Sequence, residues 1–92
     1  MERYAVSYYY CHFPHDSHVC AIEKSYESAP HGSRQDAERE LRDEFYMTVD
    51  ELRREGVRIK KAVLTTDRFV IAWDNGRYDC FFSGRIVRVS NF

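Results

Sequence analysis

The 92-residue chain has no apolar run near the roughly 20 residues that a membrane-crossing helix requires. Its opening, MERYAVSYYY, lacks both the apolar stretch and the small-residue cleavage site of an export signal, so the expectation is a cytoplasmic protein with no membrane partner. Only four glycines and two prolines are present, and they build neither a glycine-rich phosphate loop nor a hinge-rich linker. No His-Glu-x-x-His occurs, which removes the commonest zinc-hydrolase pattern. Dense Lys/Arg runs are missing as well, and with a net charge of −1 the chain has little electrostatic claim on duplex DNA. Three cysteines without an export signal point to small buried hydrophobes or metal ligands rather than structural disulfides.

Ninety-two residues suffice for one modest core, so residues 1–92 are expected to form a single domain. Aromatic residues are plentiful at 15%, more than a small interior can hold, and some rings must therefore reach the surface. The charge is divided: residues 1–50 hold ten acids against five bases, and residues 51–92 five acids against nine bases.

Tyr4 to Phe13 is aromatic and β-branched enough for a strand, and His18 to Tyr26 can return beside it across Pro14, His15, Asp16 and Ser17. A four-residue loop would pair Cys11 with Cys20 and Tyr8 with Glu23. Ser33 with Asp36 three positions later reads as a helix N-cap. Ala37, Leu41, Phe45, Val49 and Leu52 recur at helical spacing, which predicts one helix over 34–55 stopped by Gly56. Thr48 and Glu51 could cap a second helix, so a break near Met47 is the alternative.

Between residues 57 and 90, Thr66-Asp67, Asn75-Gly76 and Ser83-Gly84 read as two-residue turns of a four-stranded antiparallel meander. Val57 and Ile59 alternate out of phase with Ala62 and Leu64, which predicts a bulge near Lys60-Lys61. The fold class is then α+β, an antiparallel sheet of about six strands in ββαββββ order with one long helix on one face. This register lines up Val63, Val70, Phe81 and Ile86 in one apolar row on the uncovered face, flanked by Lys61, Arg68, Asp79 and Arg88. An exposed apolar row with a charged rim has the composition of a protein interface, unless the N-terminal hairpin folds over it as a sandwich or barrel.

The run from Cys11 to Cys20 also contains His15 and His18, and a hairpin could converge these four on zinc, although the spacing matches no common zinc pattern. A polar hairpin tip explains the same letters, so neither a metal nor a cofactor is expected. Catalysis by Cys and His would require a fixed pair with an orienting third group, and only this hairpin offers proximity, so the expectation is not an enzyme. Tyr8, Tyr9 and Tyr10 could stack unpaired bases, which makes a single-stranded nucleic-acid binder the alternative function. The acidic N-terminal half weakens that reading.

The Ser33-x-x-Asp36-Ala37 helix start, the Val57-x-Ile59 strand and the Trp73-x-Asn75-Gly76-x-Tyr78 hairpin give the chain an outline that resembles the small phage-encoded anti-CRISPR proteins. The resemblance implies a non-enzymatic inhibitor in the host cytoplasm that docks on an effector protein and blocks target DNA. Those families share no functional motif, so it assigns a role to no residue. The expected function is protein binding through the sheet face, with a host or effector protein or a second copy of the chain as partner.

Overall fold

The computed structural model describes residues 2–89. Its elements follow the order β1 (Arg3–Pro14), β2 (Ile22–Glu27), α1 (Arg34–Glu55), β3 (Arg58–Leu64), β4 (Arg68–Asp74) and β5 (Tyr78–Val89). The fold is α+β, with five antiparallel strands in the spatial order β2-β1-β5-β4-β3 and one helix across one face. Extents of 47 × 26 × 17 Å match one sheet carrying one helical layer.

The helix forms where capping and periodicity agree. Ser33 is extended at φ −137° and ψ 154°, and its hydroxyl accepts the Asp36 N–H at 3.2 Å. Ala37, Leu41, Phe45, Val49 and Leu52 make one buried stripe, and the helix runs through Met47 unbroken. Gly56 ends it in the left-handed region at φ 73°, with its N–H on the Arg53 carbonyl and the Val57 N–H on the Leu52 carbonyl.

Six strands are not formed, because Ser83-Gly84 is not a turn. β5 passes straight through it: Ser83 pairs with Tyr9 and Val70, and Gly84 with Tyr8 and Phe69. Glycine is needed there for space rather than for bending. A Cβ on Gly84 would lie 2.6 Å from Phe69 Cε2 and 3.2 Å from Leu41 Cδ1, so the missing side chain lets the helix and an aromatic ring close onto the strand. β1 supplies the partners that sustain β5, from Arg3 opposite Val89 to Pro14 opposite Tyr78.

The other turns divide. Across Thr66-Asp67 the expected register holds, with Val63 opposite Val70 and Leu64 opposite Phe69, and the bulge falls between Ile59 and Lys61. Across Asn75-Gly76 the loop is wider than a two-residue turn, so that Trp73 lies opposite Cys80 rather than Tyr78, and Asp74 opposite Asp79. The Asn75 side chain accepts the Arg77 and Tyr78 N–H groups at 3.0 and 2.8 Å, while Asp74 Oδ1 accepts that of Gly76 at 2.8 Å. These side-chain turns hold two more residues out of the ladder, an even shift that leaves each side chain on its expected face.

In the first hairpin, Cys11 lies opposite Glu23 rather than Cys20, and Tyr8 opposite Tyr26 rather than Glu23. The Ser17 N–H closes a turn on the Pro14 carbonyl, and the chain then stays unpaired until the Ala21 N–H reaches the His12 carbonyl. That odd shift exchanges the two faces of β2 relative to the expected register. The hairpin folds over neither face. It joins the sheet edge to edge, through the β1–β5 pairing.

Candidate protein interface

Strand alternation divides the sheet into two surfaces. Under the helix lie Val6, Tyr8, Phe69, Ile71, Trp73, Cys80 and Phe82, all buried in the main core cluster. Tyr8 also donates a 2.6 Å hydrogen bond to Glu40 Oε2, and His31 Nε2 lies 2.7 Å from Glu40 Oε1, tying β1 and the preceding loop to the helix. Burial, together with the nearby glutamates, drives the Tyr8 hydroxyl far above its ordinary range, so it stays a neutral donor.

The opposite surface presents the odd-numbered positions of β1 and β5 and the even-numbered positions of β4. Among the described residues no helix or strand lies over it. Ala5, Cys11 and Ala72 are buried on this side. Tyr9, Phe81 and Val63 remain 37%, 40% and 44% exposed, and the Phe13 ring meets Phe81 edge-on at 5.9 Å.

The sequence-predicted site residues separate on these surfaces. Val63, Val70, Phe81, Lys61, Arg68 and Asp79 share the open face. Ile86 and Arg88 do not: Ile86 pairs with Val6 and packs partly buried against the core, while Arg88 pairs with Tyr4 and approaches Glu2 at 3.5 Å. A turn at Ser83-Gly84 would have reversed the parity of everything after it, and its absence sends Val87 and Val89 to the open face instead. The predicted single row is also broken, because Val70 lies opposite Ser83 and Phe81 between Ala72 and Cys11. Tyr9, Phe13, Cys11 and Arg85 complete the face. Arg85 and Val87 reach this face because β5 runs unbroken from Tyr78 to Val89, which the turn-like dipeptide within it masked in the sequence.

Charge is arranged in two register pairs. Arg68 lies directly opposite Arg85 at one end of the β4–β5 ladder, and Asp74 opposite Asp79 at the other. Like charges in such positions repel. The acidic pair has cationic neighbours: Lys60 Nζ is 2.8 Å from Asp79 Oδ1, and His15 Nε2 is 2.9 Å from Asp74 Oδ1. Neither Arg68 nor Arg85 has a carboxylate within salt-bridge distance among the described residues.

Cys11, His15, His18 and Cys20, the four residues that a hairpin could have converged on zinc, are not gathered. Cys11 is buried in the sheet, Cys20 Sγ reaches the Ile22 carbonyl at 2.8 Å, and His15 turns to Asp74. Burial raises the Cys11 and Cys80 thiols above their ordinary range, which keeps them protonated and weakly nucleophilic. The ligand-type atoms that do converge, all within 4.8 Å of one another, belong to His15, Asp74 and Asp79. Beside them, Phe13, His15, Ser17, His18, Lys60, Asp79 and Phe81 line an open cavity of about 390 Å³. No family model, curated protein or solved structure matches the chain.

Proposed function

We propose that the protein is a non-enzymatic binding module that docks a partner protein on its open sheet face. The observation that carries the reading is a sheet that, among the described residues, is layered on one side only, whose other side keeps Tyr9, Val63 and Phe81 exposed beside an Arg68–Arg85 doublet with no carboxylate of those residues within salt-bridge distance. Aromatic and aliphatic anchors surrounded by arginine are the composition of interface cores and their rims. The doublet selects a partner surface carrying carboxylates, since an acid placed between the two guanidinium groups removes their repulsion and gains charge-assisted hydrogen bonds. The narrower reading, an inhibitor that occludes a CRISPR effector, rests on the resemblance in outline alone. It is tested by asking whether the purified chain blocks target cleavage by such effectors.

The nucleic-acid alternative loses one of its stacking residues, because Tyr8 is buried under the helix. Phe81→Asp decides the wider reading. It is expected to abolish capture of the partner while leaving the circular dichroism spectrum and melting temperature near those of the parent. An unfolded Phe81→Asp would make Phe81 a core residue, and a folded variant with full binding would move the interface elsewhere. A loss of self-association in the variant would identify the partner as a second copy.

A further inference from the structure

We propose that His15, Asp74 and Asp79 form a binding site for one divalent transition cation of the zinc class. Three elements of structure build it: the loop after β1 supplies His15, the end of β4 supplies Asp74, and the start of β5 supplies Asp79. One imidazole nitrogen and two carboxylate oxygens lie within 4.8 Å of one another, and drawing them inward onto a single ion would give the distances of about 2.0–2.2 Å that such a site needs. This nitrogen and oxygen donor set suits zinc and its first-row neighbours better than calcium or magnesium, which take oxygen alone.

The surroundings support the assignment independently of that spacing. Asp74 and Asp79 are direct partners in the ladder, so their repulsion calls for a cation between them. Lys60, the resident cation, is half-exposed and touches only Asp79 among the described acids, so it is easily displaced by a divalent ion. His18 and Ser17 line the cavity that opens beside the cluster, a space wide enough for further donors or water to complete the coordination. Because His15 is 59 residues from Asp74 in the chain, a bound ion would staple the 15–21 loop, which lies outside the strands, to the β4–β5 hairpin.

The test uses the whole chain, stripped with a chelator and titrated with zinc alone by calorimetry, then with cobalt followed by visible absorption. The expected result is one saturable site per chain, with cobalt ligand-field bands and no thiolate charge-transfer band. His15→Ala and Asp79→Asn are each expected to weaken binding by at least about tenfold with the fold unchanged by circular dichroism, and Cys11→Ser to leave it intact. Absence of saturable binding would overturn the proposal and make the cluster a set of surface ion pairs. So would binding that survives both the His15 and the Asp79 substitution, or a site lost with Cys11.

Discussion

The two faces of the sheet are built from alternate residues of the same strands, yet they meet different fates. In β4, Phe69, Ile71 and Trp73 are buried beneath α1, while Arg68 and Val70 point to the uncovered side. In β5, Cys80 and Phe82 are buried and Phe81 between them is not. Hydrophobicity does not separate these positions, since Phe81 and Phe82 are the same residue type. Cover separates them: one helix has a single apolar stripe and can desolvate only one side of a five-stranded sheet. The lesson is that aromatic residues on the covered side hold the fold, whereas those on the open side are free to hold something else.

The contrast can be broken most severely at Phe69. Phe69→Ala is expected to cost about 3–5 kcal/mol, since the ring meets Phe45, Phe82 and Tyr8 and is almost fully buried, whereas Phe81→Ala is expected to cost under about 1 kcal/mol. Urea denaturation of both variants checks this. Equal costs would mean the open face is core.

Next in size is Gly84→Ala, which presses a methyl group onto the Phe69 ring and is expected to cost about 1–3 kcal/mol. Combining it with Phe69→Leu should restore part of the loss relative to the sum of the two changes, and strict additivity in that double-mutant cycle would show that the contact is not the cause. Ser33→Ala removes the N-cap and is expected to cost about 1 kcal/mol, seen as a lowered melting temperature with partner binding retained.

The smallest effect sharpens the helix edge of the covered face. Burial, then Glu40 and Glu51, holds the Glu44 carboxyl above its ordinary range. The folded state therefore binds this proton more tightly than the unfolded chain does, and the ionised group costs stability at pH values above the folded pKa. Because solvent screens this partly exposed carboxylate, Glu44→Gln should raise stability by only about a few tenths of a kcal/mol at neutral pH. The gain should fade as pH falls below the ordinary glutamate value, which thermal melts at several pH values would show. A gain that grew in acid would reverse the assignment.

The helix was fully legible, because each of its signals is local: Ser33 and Gly56 as caps and five apolar residues at one spacing. The Thr66-Asp67 hairpin and the bulge at Lys60 were legible for the same reason, since adjacent strands with a short loop fix their own register. The candidate site was legible in part. Val63, Val70, Phe81, Lys61, Arg68 and Asp79 do share a face, but Ile86 and Arg88 were placed there by a turn that does not form.

What the sequence by itself determined is therefore the helix, its buried stripe and the alternation of the strands, all of which depend on residues a few positions apart. The tertiary structure alone decided that Ser83-Gly84 stays in strand, that β1 lies beside β5, and that His15 arrives at Asp74 and Asp79. The physical reason lies at Gly84. A Ser-Gly pair is compatible with both a turn and a strand, and only a partner strand from the other end of the chain, together with the Phe69 ring closing on the bare backbone, selects between them.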